Sequence, residues 1–396
     1  MIEAYIVDWF SLIVRWLHLI TGIAWIGASL HFIWLDNSLG DPPQWKKDKG
    51  IQGDIWSIHG GGIYEFNRYH LAPPEWPATL HWSKWEAYTT WITGIFLIVA
   101  VYYLQAQSFL VGPGNWITDP QIAVLASIGF MGLGIGFYEL AVRSPLKHNA
   151  PAFAVLIVIY LTFLSWLSVQ LFSDRAAYLH IGAVMGTIMA GNVFLGIIPA
   201  QKSFVTAVEA GNEPDADLAA FAKLRSTHNN YFTLPVLFCM ISNHYPFLYG
   251  HEYNWVILIY VMGVMAYARH FFNLRHRGEV NPWILVRAVF AFLILAGSLG
   301  YERVAGSLPA ADAVSDEQIT VIVQKNCTVC HSVDPTFPGF AAPPAGMVMD
   351  NLAEVIASAA RIQVAISSNY MPLGNVTNMS ADDRAALMGW LAVSGQ

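Results

Sequence analysis

Three features of the sequence predict an all-α protein: a polytopic membrane bundle of eight helices, followed by a small all-α domain. Of its 396 residues, 55% are hydrophobic and only 12% are charged, whereas an ordinary soluble domain carries about 25% charged residues. Eight stretches are long and apolar enough to cross a bilayer core about 30 Å thick, which takes about 20 residues at 1.5 Å rise each. Composition then changes: from Pro309 onward eight acidic residues face three basic ones, so most of the net charge of −7 lies in the tail. That acidity argues against nucleic acid and suits a basic protein partner or solubility alone.

The eight stretches run over residues 9 to 36, 85 to 106, 121 to 142, 151 to 172, 178 to 200, 231 to 249, 253 to 274 and 283 to 300. Glu3 and Asp8, rather than a basic region, precede the first, and no small-residue exit follows it. It reads as a retained span, not a signal peptide. Gly132 with Gly136, and Gly182 with Gly186, are small pairs one turn apart that let helices approach closely. Trp9, Trp82, Trp85, Trp91 and Trp255 crowd the ends, as interfacial anchors do. Residues 37 to 80 form a long loop rich in Gly, Pro and aromatics, which at that length points to function. Pro214 opens a short amphipathic helix, with Leu218, Phe221 and Leu224 on one face, expected on the membrane surface.

Alternate loops carry eleven Lys or Arg, from Lys46 to Arg277, and the opposite loops only Arg175. The positive-inside rule then places both termini outside, which in a bacterial inner membrane is the periplasm. The expected division is a membrane domain over 1–300, a linker over 301–315 and a C-terminal domain over 316–396. The linker spans at most about 50 Å at roughly 3.3 Å per residue. In the tail, Ser315 with Gln318 and Ser380 with Asp383 mark helix starts. Helices are expected near 316 to 326, 350 to 368 and 381 to 393.

Cys327-Thr328-Val329-Cys330-His331 is a CxxCH sequence. Two thiols a helical turn apart reach both vinyl groups of a haem while the next imidazole meets the iron. The tail is thus expected to be a class I cytochrome c domain with covalent haem c, periplasmic by the loop charges. Met371, before Pro372, is the expected second iron ligand, with Met347, Met349 and Met379 as competitors; a His/Met pair suits electron transfer. Cys239, alone in an apolar stretch, reads as packing.

Ionisable groups inside spans are costly and mark function by default. By the topology His18, His180 and His244 fall in the outer half, and His31, His81 and His270 toward the inner. Pairs of outer histidines suit either a substrate or a second haem, of b type. Arg15, one turn before His18, requires an anion if buried. Glu86, Glu139 and Arg269 lie nearer the ends, where snorkelling explains them. Asn192, the run Thr227-His228-Asn229-Asn230 and the run Ser242-Asn243-His244-Tyr245 add polar groups suited to a flat heterocycle or to helix caps. No phosphate-binding loop, dinucleotide fingerprint or serine elbow follows a predicted strand, so a nucleotide cofactor is not expected.

Several segments together resemble the membrane-bound urate hydroxylase family. They are Trp16-Leu17-His18 with Thr21 to Gly27, His59-Gly60-Gly61-Gly62, Lys84 to Tyr88, Asn192 to Phe194 with Ile197 to Pro199, and Thr227 to Tyr231 through Ser242 to Pro246. The resemblance covers nearly the whole chain, including its fused cytochrome domain. It implies oxidation of urate to 5-hydroxyisourate in purine catabolism, with electrons passed to the C-terminal haem and on to a basic periplasmic cytochrome or terminal oxidase. Urate, a planar anion, then needs a cation such as Arg15 or Arg269 and a base such as His18 or His244. Arg15, His18 and His244 are the expected catalytic residues, in an outer or midplane pocket. The competing reading is a quinol to cytochrome c oxidoreductase with b-type haem on the membrane histidines. Eight spans with buried charges exceed what an anchor for a carrier domain requires.

Overall fold

The structure, a computed structural model, describes residues 2–394 apart from 71–72, 113, 306–313, 339, 341 and 368–369. Its long helices are α1 (Ile2–Ser38), α2 (Trp85–Tyr103), α3 (Pro120–Arg143), α4 (Ala150–Leu171), α5 (Asp174–Glu209), α6 (Ala216–Ile241), α7 (Asn254–Arg275) and α8 (Trp283–Ala305). Side chains of the preceding residues start several of them. Asp119 accepts from the backbone of Gln121 and Ile122 with Pro120 at the first helical position, and Asn149, Ser173 and Asp215 cap α4, α5 and α6. Each cap satisfies amides that the helix itself leaves unpaired.

Seven of these helices are long and apolar enough to cross a membrane; α6 is the exception. It has the length, at 26 residues, but its first half holds Lys223, Arg225 and the run Ser226 to Asn230. The amphipathic helix expected at the membrane surface is this first half, continuous with the apolar second half because no breaker separates them. α5 is the axis of the bundle: 67% of its most apolar window is buried, against 6% for α1, which packs chiefly on α2. α6 lies antiparallel along α5. Arg225 fills the space beside Gly196, Asn229 meets Asn192 near the midpoint of both helices, Cys239 abuts Gly182 toward the α6 C-terminus, and Tyr178 donates to the carbonyl of Leu248 beyond it. Gly182 therefore permits close approach as expected, and Gly134 against Val184 does likewise, whereas Gly132, Gly136 and Gly186 face no neighbour within 4 Å.

The loop expected over 37 to 80 contains an antiparallel hairpin, β1 (Ile51–His59) with β2 (Gly62–Tyr69), paired from His59↔Gly62 outward. Gly60 and Gly61 both have positive φ, 57° and 89°, the conformation a two-residue hairpin turn requires. Lys46, buried, ion-pairs with Asp54 and Glu65 beneath it.

The C-terminal part has its own core, built on Ile319, Val323, Val355, Ile362, Leu387 and Leu391. Its helices are α9 (Asp316–Asn326), α10 (Thr328–His331), α11 (Leu352–Ala357), α12 (Ala359–Ser367) and α13 (Ala381–Ser394). Ser315 and Gln318 form the expected capping box, and Ser380 Oγ accepts from the Asp383 amide. The helix expected over 350 to 368 is instead two, parted at Ser358. α8 runs on to Ala305, shortening the linker expected over 301–315, and positions 306–313 of that linker lie outside the described residues.

Candidate functional site

Two ends of the bundle carry chemistry. At one, the C-terminal domain sits against the loops. Ser108 Oγ donates to the Pro338 carbonyl at 2.9 Å. A cleft of about 270 Å³ separates Asp174, Tyr249 and Gly250 of the bundle from Gly374, Asn375, Ala381 and Arg384. The loop bearing Met371 therefore faces the bundle. Arg384 holds that loop, donating from Nη1 to the Met371 carbonyl at 2.6 Å and from Nη2 to Asn375 at 3.2 Å, and burial lowers its pKa.

Within this domain the CxxCH residues fit a covalent haem. Cys327 and Cys330 are free thiols, and burial, then the neighbouring Cys330, pushes Cys327 up to about 11. Buried His331 pairs through Nδ1 with the Met347 carbonyl at 3.1 Å. With the proton on Nδ1, the Nε2 lone pair is left for a metal, the usual role of such a partner. Burial also lowers the His331 pKa, favouring the neutral, ligating ring. The Met347 carbonyl occupies the Nδ1 side of this ring, and the Met349 amide donates to the His331 carbonyl, so neither residue is placed toward Nε2. Met379 is buried in the domain core and Met371 only partly so.

Beneath this end, His180 is fully buried and uses both ring nitrogens, Nδ1 with the Ala176 carbonyl and Nε2 with Ser127 Oγ, each at 2.7 Å. Ser127 Oγ also pairs with Tyr103 at 2.8 Å, and Phe172 stacks on the imidazole at 4.4 Å. A ring so engaged fits a second, b-type haem poorly. Tyr103 belongs to a π-helical turn over Ile98–Tyr103, a distortion frequent at functional sites.

The expected catalytic residues are not brought together. Arg15 is exposed and donates to Ser11 at 3.1 Å. His18 Nδ1 is within 3.0 Å of both the Thr90 carbonyl and Thr93 Oγ1, tying α1 to α2. His244 is exposed just beyond α6. Among the described residues no hydrogen bond or ion pair joins any two of the three.

The far half of the bundle holds polar residues that the sequence reading placed elsewhere. Arg225, counted among loop charges, is fully buried; its Nη2 donates to Glu139 Oε2 at 2.8 Å, and its Nη1 to the other carboxylate oxygen and to Asn192. Asn192 donates to Tyr138 at 3.0 Å and to Asn229 at 2.8 Å, and Tyr138 pairs with His228 Nδ1 at 2.8 Å. Asn192 ends the first α-helical stretch of α5; a π-helical segment over Val193–Ile197 interrupts the helix before it resumes at Ile198, and there Gly196 leaves the space the Arg225 side chain fills. Glu139 is thus paired rather than snorkelling. Arg269, likewise expected to snorkel, is 5% exposed and donates from Nε to Asn230 Oδ1 at 2.9 Å. Arg269 Nη2, Asn230 Nδ2, Asn273 Oδ1 and His276 Nδ1 are buried without a hydrogen-bond partner among the described residues. One sequence signal for this cluster existed, polar residues at 269, 273 and 276 in a helical spacing.

The fold is that of a helical bundle with a polar interior, seven of whose helices are long and apolar enough to cross a membrane. A family model described as urate oxidase N-terminal matches residues 4–299, and the chain belongs to that family. No curated protein and no solved structure matches the chain.

Proposed function

We propose that this protein oxidises urate to 5-hydroxyisourate in the membrane and delivers the electrons to its own C-terminal domain. The carrying observation is positional. The family match ends at residue 299, and the unit that follows bears CxxCH and lays its Met371 loop over the bundle end. Urate plus water gives 5-hydroxyisourate, two protons and two electrons, so the reaction requires an electron acceptor. Cys327, Cys330, His331 and Met371 are the residues that would hold a haem c, and such a group would supply a one-electron acceptor, needed twice per urate. His331 is held in its ligating tautomer by the Met347 carbonyl, and Arg384 fixes the loop of Met371.

In this reading α6 is the eighth span. Its first half pairs with Glu139 and Asn192 at one end of the bundle, and Leu248, just past its C-terminus, meets Tyr178 at the other. The polar run is tolerated because its side chains face helices, not lipid. Loop charge then puts both termini and the cytochrome domain in the periplasm of a bacterial inner membrane. Onward transfer is to a basic periplasmic cytochrome or a terminal oxidase, as the acidic tail favours.

The test is anaerobic: urate is added to oxidised holoprotein in detergent and the c-haem absorbance followed, with a quinol in parallel. Reduction by urate alone supports the reading. Reduction by quinol with no response to urate overturns it.

A further inference from the structure

Four partnerless polar atoms belong to Asn230, which bonds Arg269, and to a row on α7 formed by Arg269, Asn273 and His276. A buried donor or acceptor without a partner costs about 1–3 kcal/mol. Elsewhere among the described residues of the bundle the unpartnered buried atoms are Ser165 Oγ, Arg175 Nε, Arg225 Nε and Asn243 Oδ1, one to a residue. Asn230 is fully buried and Arg269 nearly so. Because Asn230 Oδ1 accepts from Arg269 Nε, the amide orientation is fixed and Nδ2 is a donor with nothing to receive it. Arg269 Nη2 is a second, charged donor. Asn273 Oδ1 supplies an acceptor one turn on.

Arg269, Asn273 and His276 are spaced four and three apart, which sets them on one face of α7 over about 10 Å. His276, at the end of that row, lines a cavity of about 600 Å³ with Trp34, Asn37, Ser38 and Arg275. This mouth opens at the end of the bundle opposite the C-terminal domain. Among the described residues that line it the one fixed charge is the cation Arg275, and Arg269 is the cation further along α7, so the field along the row favours an anion.

A neutral apolar ligand has no use for two donors and an acceptor, and a phosphate none for the acceptor. A urate monoanion offers carbonyl and ring-nitrogen acceptors beside ring N–H donors in one plane. Taking the urate reading of the preceding section as given, we infer that Asn230, Arg269 and Asn273, reached past His276, bind the purine anion. The site lies in the inner half of the bundle, not in the outer pocket expected from Arg15, His18 and His244.

Equilibrium dialysis of urate against anaerobic, dithionite-reduced holoprotein tests this, because reduced protein cannot turn urate over. The informative variant is Asn230→Asp, which keeps the acceptor for Arg269 Nε and replaces only the unpaired donor. Asn273→Ala removes the acceptor, and Arg269→Lys keeps the charge but loses the fork. Thermal unfolding and the haem spectrum verify that each variant is folded. We expect Asn230→Asp and Arg269→Lys to weaken binding at least about tenfold, as loss of one charge-assisted bond implies, while His18→Gln leaves it unchanged. Wild-type affinity in all three site variants would overturn this site and leave the urate reading standing. No binding to the wild type would overturn both.

Discussion

In the half of the bundle nearer the C-terminal domain His180 commits both nitrogens to Ala176 and Ser127, and Ser127 also answers Tyr103. In the far half Glu139, Arg225 and Asn192 form a set that leaves one atom over, Arg225 Nε, whereas one helix away Asn230, Arg269 and Asn273 leave three open. Both halves bury polar groups where no water can rescue them. A closed network rigidifies the helices it joins, whereas open donors hold structure in readiness for a ligand. Chemistry is therefore expected where satisfaction fails, with the closed networks as its scaffold.

Separating the ends breaks this division most severely. The double variant Cys327→Ser, Cys330→Ser should lose all covalent haem, seen as absent haem staining on a denaturing gel, and all urate-driven absorbance change. Urate retention in dialysis should stay within about twofold, since the two ends are distant and independent. Loss of binding as well would mean that the halves act as one site.

A smaller effect distinguishes the closed networks. Arg225→Leu leaves Glu139 with only Arg143, which pairs with it at 3.1 Å, and should lower stability by roughly 3–5 kcal/mol, the cost of stranding a buried charge. Ser127→Ala unpairs His180 Nε2 and Tyr103 and should cost about 1–3 kcal/mol. Thermal unfolding in one detergent compares them, and equal losses would erase the distinction between an ionic and a neutral network.

Legibility in the sequence followed local cause. α2, α3, α4, α7 and α8 were readable because twenty apolar residues in a row have few alternatives, and α9 because Ser315 and Gln318 make a cap with a mechanism. The hairpin was missed although Gly60-Gly61 between Ile51–His59 and Gly62–Tyr69 is a turn signal; the many aromatics and prolines around it hid the alternation. α6 was split because its charge was read as surface, when Arg225 is neutralised by Glu139, 86 residues away. Pairing of that kind is tertiary, so the open row at Arg269, Asn273 and His276 could be read only as a spacing. The contacts of His18 were hidden for the same reason, since Thr90 and Thr93, which hold it, lie on another helix.

The smallest expected effect concerns the mouth of that row. Burial, then the charges of Arg269 and Arg275, lowers the His276 pKa below the ordinary 6.5, so the ring is neutral at and above that pH. Arg269 and Arg275 are the charged groups that bear on it, and both oppose its protonation. Acidification eventually protonates the ring, which turns the open Nδ1 acceptor into a donor and adds a cation at the mouth through which the anion passes. Urate affinity at the reduced holoprotein should thus be level from pH 6.5 to about 8 and change only on the acid side, where a lowered histidine titrates. His276→Gln should abolish that acid limb with little change at pH 7.5. An acid limb that persists in the variant would place the titrating group elsewhere and leave His276 a lining residue alone.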